Sequence, residues 1–190
     1  MKLYMILLGC RHEGRLIEQH DIFFDIGNSL PEMVAAIRSS WPQGEVHIDA
    51  WRLVTLANDY TVKIVERKDA PAINSVRLFF INLGGYKEGE FDEFHYKMVI
   101  AATDKGKAVE IAKQSAFYKQ FKFPGASSHI DDKYGVDIDD LHDIEDILPA
   151  DTKMKYAIVI TPATTDTVED ELHLGYFNLN KVANGSIISS

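Results

Sequence analysis

The sequence of 190 residues has little of three features that define common classes of protein. It has one cysteine, Cys10, so it cannot form an intrachain disulfide, which fits a reducing compartment such as the cytoplasm. It has no apolar run approaching the roughly 20 residues that a transmembrane helix needs. Its 20 basic residues are outnumbered by 29 acidic ones. This balance argues against nucleic acid and against an anionic membrane surface as binding partners.

Residues 7–10, Leu-Leu-Gly-Cys, look like a lipoprotein cleavage box. A secretory signal needs both a charged region and an apolar region of about 7–15 residues before the cleavage site. The segment before Cys10, Met1 to Gly9, is too short to contain both. A matching stretch, residues 81–85, also lies deep inside the chain, where no signal could be cleaved. We therefore interpret both stretches as strands that end in a glycine turn.

An internal repeat is the strongest pattern in the sequence. Residues 2–20 align without a gap on residues 77–95, and eight of these nineteen positions are identical, where chance would give about one. After a helix-like stretch, His47-Ile48-Asp49 aligns on His129-Ile130-Asp131, so the offset grows from 75 to 82. The repeat predicts that one structural unit is written twice in the chain.

Each copy predicts the element order β-β-α-β-β, which is an α+β fold with a mostly antiparallel or mixed sheet. In the first copy we expect strands near residues 3–8, 18–26 and 60–65, and a helix that begins with a capping box of Ser29 and Glu32. The predicted organisation is a first unit at 1–70, a second at 75–165 and a C-terminal extension at 166–190, whose tail after Leu172 is expected to be weakly structured. The two copies are expected to pack about a pseudo-twofold axis in one compact globule.

The repeated polar residues are predicted to cluster at one edge of the sheet. Glu18 and His20 are two residues apart on a strand, so their side chains share a face, and the same holds for His47 and Asp49. The helix returns the chain to the end of the first strand, which brings the two pairs together beside the turn that starts at Gly9. The second copy predicts an equivalent cluster of Glu93, His95, His129 and Asp131.

Three roles for these clusters stay open at this stage. They can be hydrogen-bonded His–carboxylate groups that fix the turn, or a binding site for a small polar ligand. They can also hold a divalent metal such as Zn, Mn or Fe, with His20, His47, His95 and His129 as the candidate imidazole ligands. The predicted functions are therefore a binding or interaction module and, as an alternative, a divalent-metal-dependent enzyme. The sequence leaves a homo-oligomer open and names no reaction.

Two other segments are interpreted as structural. The acidic stretch around Asp137-Ile138-Asp139-Asp140 lacks the glycine of a calcium loop and is typical of a solvated face. Cys10 aligns on Gly85, so the shared plan does not require a thiol there. We therefore do not expect Cys10 to act as a nucleophile.

From Glu18-Gln19-His20 through His47-Ile48-Asp49, the chain resembles an uncharacterised bacterial family, domain of unknown function 1543. Members look like one or two copies of such a unit, often with a Leu-Gly-Gly turn ahead of it. This chain departs from that pattern with Cys10 in the first copy. The resemblance implies a bacterial, cytoplasmic protein with two tandem copies, and it supplies no activity.

Overall fold

The structure is a computed structural model that describes residues 1–42, 44–72, 75–86, 89–115, 136–164 and 168–186. It is a mixed α+β fold in which the neighbouring strands of the two larger sheets pair antiparallel, as predicted. The chain divides into two compact units. The first contains Met1–Leu56, Thr61–Pro71 and Leu148–Ser190, and the second contains Ala57–Tyr60 and Ala72–Ile147. The predicted division differs, because it placed residues 148–165 in the second unit and 166–190 in a separate extension.

A four-stranded sheet forms the centre of the first unit. It contains β1 (Lys2–Arg11), β2 (Gln19–Gly27), β3 (Glu45–Leu53) and β10 (Leu172–Asn178) in the order β10-β3-β1-β2. The central strand β1 is almost continuously apolar because the side chains on both of its faces are largely buried. Tyr4, Ile6 and Leu8 on one face of β1 belong to the main core of this unit. Gly9 therefore lies on the opposite face.

A helical segment packs on that core between β2 and β3. It begins as a 3₁₀ turn at Leu30–Met33 and continues as α1 (Val34–Ser40). The predicted capping box of Ser29 and Glu32 is wrong, because the Ser29 side chain does not cap the helix and Glu32 accepts from the residue before Ser29. The carboxylate of Glu32 instead accepts a hydrogen bond from the Asn28 amide at 3.0 Å. Pro31 lies in the first turn of this segment, where its missing N–H is not needed for a helical hydrogen bond.

The C-terminal segment was expected to be weakly structured, and this prediction is wrong. Strand β10 pairs with β3, and α5 (Leu179–Ala183) follows it directly. Phe177, Leu179 and Val182 are buried in the core of the first unit. The sequence hid this strand because its ladder is irregular between Leu174 and Phe177, which breaks the alternation that identifies a strand.

The second unit repeats the arrangement of β1, β2 and β3. Its sheet has the order β7-β6-β8, with β6 (Arg77–Tyr86), β7 (Glu93–Ala102) and β8 (Val136–Asp143). Helix α2 (Lys105–Ala112) covers one face, and its buried Ala108 and Ala112 join the core. Asp104 caps this helix, since its side chain accepts a hydrogen bond from the Lys107 backbone amide at 2.9 Å.

The remaining elements are short. A third sheet has the order β4-β5-β9, with β4 (Leu56–Ala57), β5 (Tyr60–Glu66) and β9 (Tyr156–Pro162), so the strand predicted at 60–65 exists. The short helical pieces are a 3₁₀ turn at Arg67–Asp69, α3 (Ile144–Ile147) and α4 (Ala150–Lys155). Within the described part of the chain, no helix is long and apolar enough to cross a membrane.

Candidate functional site

Gly9 is the geometric centre of the candidate site in the first unit. The antiparallel ladders place it opposite His20 on β2 and opposite His47 on β3. Residues that lie directly opposite each other in neighbouring strands carry their side chains on the same face of the sheet. The two imidazoles therefore flank a position that has no side chain of its own.

Asp49 reaches this position because β3 contains a bulge. Leu8 pairs with Ile48 and Leu7 pairs with Ala50, so Asp49 is the extra residue without a partner on β1. A bulge re-aims the side chain of the extra residue and is over-represented beside functional sites. Here it brings the Asp49 carboxylate to the two imidazoles.

The four side chains predicted to cluster in the first unit do lie together. The Nε2 atom of His47 is 3.1 Å from Asp49 Oδ1 and 3.5 Å from Glu18 Oε1. The Nε2 atom of His20 is 3.2 Å from Asp49 Oδ2 and 3.7 Å from Glu18 Oε2. Each imidazole thus points the same nitrogen at the same two carboxylates.

Burial differs across the cluster in a way that separates an inner from an outer side. The His47 side chain is 6% exposed, whereas that of His20 is 44% exposed. The Oδ2 atom of Asp49 is buried and has no hydrogen-bond partner. A buried carboxylate oxygen without a donor is unusual and calls for an explanation.

The space above Gly9 is part of the site. A Cβ atom at this position would lie 2.5 Å from Asp49 Oδ2 and 2.5 Å from His47 Nε2. One ligand atom each from Glu18, His47 and Asp49 lie within 4.8 Å of one another, close enough to share a single ion. Two carboxylates and imidazole nitrogen form a donor set that suits first-row divalent metals.

Cys10, the residue next to Gly9, is fully buried. Burial raises the pKa of its thiol, and the charge of Glu18 raises the pKa further. A thiol with a raised pKa is a weaker nucleophile at neutral pH because less of it is thiolate. This environment agrees with the expectation that Cys10 is structural.

The second unit brings together a related cluster around Gly84. This glycine lies opposite His95 on β7 and opposite Asp137 on β8. Asp139 is the extra residue of a bulge between Asn82 and Leu83. Its Oδ2 atom lies 3.3 Å from His95 Nε2, and ligand atoms of Glu93, His95 and Asp139 lie within 4.8 Å of one another.

This register corrects the predicted equivalence of the third strands. Ile138 faces Leu83 as Ile48 faces Leu8, so the offset in this strand is 90 and not 82. The predicted counterparts His129 and Asp131 lie outside the described residues. Asp139 was missed because the alignment matched the identical residues His-Ile-Asp. In the strand register, His47-Ile48-Asp49 corresponds to Asp137-Ile138-Asp139, where only the isoleucine and the aspartate are the same.

Tyr176 is a further residue of the first site that the sequence did not indicate. Its ring centroid lies 4.3 Å from that of His47, with the planes tilted by 35°. A second ring contact links β10 to β3, where His173 stacks on Trp51 at 3.8 Å. The alternation of Leu172, His173 and Leu174 was the available signal, and the irregular ladder after Leu174 obscured it.

Comparisons with known proteins support the fold and assign no activity. No curated protein matches the chain. The crystal structure of a protein Il1583 from Idiomarina loihiensis has a similar fold, with a TM-score of 0.58 and 20% identity over 94% of this chain and 97% of that one. The model of the family Domain of Unknown Function (DUF1543) matches residues 15–64. The predicted resemblance is thus confirmed for the segment that contains Glu18, His20, His47 and Asp49.

Proposed function

We propose that this protein is a binding module for a divalent cation, which Glu18, His47 and Asp49 hold above Gly9. Convergence is the observation that carries the proposal: three ligand atoms lie within 4.8 Å of one another over a position that a Cβ atom would fill. His20 approaches the same carboxylates from the exposed side and is the fourth ligand or the proton acceptor beside it. Of the functions predicted from the sequence, this one combines the binding module with the metal site.

A purely structural role for the cluster explains the geometry less completely. In that case the two imidazoles would donate hydrogen bonds to the two carboxylates and satisfy them. However, the contact of Asp49 Oδ2 with His20 Nε2, at 3.2 Å, lacks hydrogen-bond geometry, so this buried oxygen receives no hydrogen bond. A buried acceptor in poor hydrogen-bond geometry is incompletely stabilised, and a bound cation would complete its coordination.

A divalent-metal-dependent enzyme is the second candidate, and the exposure of His20 favours it. Catalytic metal sites keep a coordination position open for water or substrate. His20 is 44% exposed and lies 3.2 Å from Asp49, so it can exchange protons with solvent beside a bound ion. A carboxylate in contact with an imidazole fixes the orientation and tautomer of the ring, which suits a general base.

The test is metal binding by the full chain. Protein treated with chelator and dialysed is titrated with Zn²⁺ and with Mn²⁺ in a calorimeter, and bound metal is measured by elemental analysis. We expect His47→Gln and Asp49→Asn to lower the affinity of this site at least tenfold, while far-ultraviolet circular dichroism shows retained structure. His142→Gln is the matched control, because this exposed histidine lies 3.9 Å from one carboxylate, that of Asp140, in no ligand group among the described residues.

Two outcomes would overturn the proposal. One is a wild-type protein that binds neither ion with a dissociation constant below about 1 mM, the level expected of the weakest dedicated sites. The other is binding that His47→Gln and Asp49→Asn leave unchanged. If the site does bind a divalent ion, the enzyme alternative is tested next. An open coordination position would be detected by small-anion binding to the Co²⁺-loaded protein, followed through its visible absorption.

The tandem duplication belongs to this proposal. It is supported by three shared features: the same order of the first three strands, a glycine opposite a histidine on the second strand, and a bulge that carries an aspartate on the third. Pseudo-twofold symmetry between the copies remains a prediction. A bacterial origin and a cytoplasmic location are kept as proposals on the resemblance and on the single cysteine.

A further inference from the structure

We propose that the second unit holds its own cation site, formed by Glu93, His95 and Asp139, and that its preference among cations differs from that of the first. This inference rests on the proposed function, because it assumes that the first cluster binds a divalent ion. It adds a second site of a different chemical character. One chain would then carry two unlike ions at two glycine-centred positions.

The positions of the ligands support a second site. His95 lies opposite Gly84 in the ladder of β6 and β7, and Asp139 projects from the bulge of β8. The three atoms nearest to a Cβ atom built on Gly84 all belong to the Asp139 carboxylate. The carboxylate therefore lies over the glycine, as Asp49 lies over Gly9 in the first unit.

The residues opposite the central glycine differ at one position of the two ladders. Opposite Gly9 on the third strand stands His47, whereas opposite Gly84 stands Asp137. The ligand groups themselves have the same composition, one imidazole and two carboxylates, but the first has a second imidazole, that of His20, at 3.7 Å and 3.2 Å from its two carboxylates. Imidazole nitrogen favours Zn²⁺, while a set richer in carboxylate oxygen suits Mn²⁺ and Mg²⁺.

Exposure of the ligands also differs. The histidine and aspartate of the second site are 38% and 30% exposed. The innermost histidine of the first site, His47, is 6% exposed. A more exposed site binds its ion less tightly and exchanges it faster, since water competes for the coordination positions. We therefore expect the ratio of Zn²⁺ affinity to Mn²⁺ affinity to be at least tenfold lower at the second site.

The experiment uses the full chain and two matched glycine variants. Gly9→Ala places a methyl group in the first site, and Gly84→Ala places one in the second. Each protein is loaded with one equivalent of Zn²⁺ and titrated with Mn²⁺, and free Mn²⁺ is followed by electron paramagnetic resonance. His95→Gln and Asp139→Asn serve if Gly84→Ala fails to fold.

We expect the wild type to retain Zn²⁺ and bind one Mn²⁺, and the Mn²⁺ site to disappear in Gly84→Ala and in His95→Gln. Unchanged Mn²⁺ binding in those variants would overturn the second site. Equal Zn²⁺-to-Mn²⁺ ratios at both sites would overturn the difference in preference. Binding confined to the first unit refutes this inference alone, whereas absence of binding in every protein refutes the proposed function with it.

Discussion

Gly9 lies opposite His47 in the ladder of β1 and β3, and a Cβ atom on it would come within 2.5 Å of the imidazole Nε2. The same atom would come within 2.5 Å of Asp49 Oδ2. A glycine inside a strand usually weakens the strand, because it increases the conformational entropy of the unfolded chain and has no side chain to pack. Its presence here is explained by the space that the two ligands need.

Gly9→Ala should therefore lower cation affinity by about 10–100-fold, the range seen when metal ligands lose their orientation. The methyl group displaces His47 and Asp49 from each other, while β1 retains its hydrogen bonds. Calorimetric titration with Zn²⁺ measures the effect. The control is Gly106→Ala in α2, whose added Cβ atom would meet only the Asp104 carboxylate, at 3.2 Å. Full affinity in Gly9→Ala would show that the space is not used.

Removing the ring of Tyr176 should weaken the site without abolishing it. The ring packs at 4.3 Å on that of His47, and an aromatic contact of this kind contributes about 0.5–1.5 kcal/mol. Tyr176→Ala should lower cation affinity about 3–10-fold, and Tyr176→Phe should retain it, because the phenyl ring keeps the contact. Equal losses in the two variants would mean that the hydroxyl group acts, and not the ring.

Gly175 positions that tyrosine. Its φ is +144°, a conformation that residues with a side chain rarely adopt, and it lies in the irregular part of the β10 ladder. Gly175→Ala should destabilise the protein by about 1–3 kcal/mol and also reproduce part of the affinity loss of Tyr176→Ala. Chemical denaturation measures the first effect and calorimetric titration the second. A variant with unchanged stability would show that β10 relaxes without strain.

Asp25 should make the protein less stable as the pH rises. Burial raises the pKa of its carboxyl above the ordinary 3.8, although hydrogen bonds from Thr152 and from the Ile26 amide lower it. The folded state therefore holds the proton more tightly than the unfolded state. The stability that this group contributes is fully present below pH 3.8 and is lost as the pH rises through the raised pKa.

Asp25→Asn should raise the melting temperature at pH 7 and reduce this pH dependence. The asparagine oxygen can still accept the bonds that Asp25 Oδ1 receives at 2.7 Å from Thr152 and 2.8 Å from Ile26. Thr152→Val is the matched comparison: it removes one hydrogen bond to the buried carboxylate and should destabilise by about 1.5–3 kcal/mol. Thermal melts from pH 4 to 8 measure both variants. If the melting temperature of Asp25→Asn depended on pH as strongly as that of the wild type, the pH dependence could not be assigned to Asp25.

The ion pair of Arg77 and Asp143 should stabilise the second unit. The Asp143 side chain is 2% exposed and its partner is 49% exposed. Burial raises the pKa of Asp143, against the lowering effect of the Arg77 charge. Arg77→Met leaves a buried carboxylate without its cation and should cost roughly 2–3 kcal/mol, below the range for fully buried pairs because the arginine is half exposed.

Lys107→Met is the control for this prediction. It breaks an exposed pair with Glu110 at 2.7 Å and should cost no more than about 0.5 kcal/mol. Urea unfolding of the two variants gives both values. Equal destabilisation by the two substitutions would mean that the burial of Asp143 does not govern the strength of its pair.

The sequence by itself determined the first three strands of the first unit, the first two strands of the second unit and the first cluster. These features depend on local patterns: apolar runs, and pairs spaced by two on a strand. The repeat also located Glu93 and His95, because the ladder of β6 and β7 needs no gap to align with that of β1 and β2.

Only the tertiary structure decided which aspartate completes the second cluster and which ring covers the first. Asp139 takes its place through the register and bulge of β8, which are set by hydrogen bonds to β6 and not by the local letters. Tyr176 arrives on a strand that pairs with β3 from more than 120 residues away in the chain. Its ladder is irregular, so its alternation is broken. Register and long-range pairing are properties of two segments together, and neither segment specifies them alone.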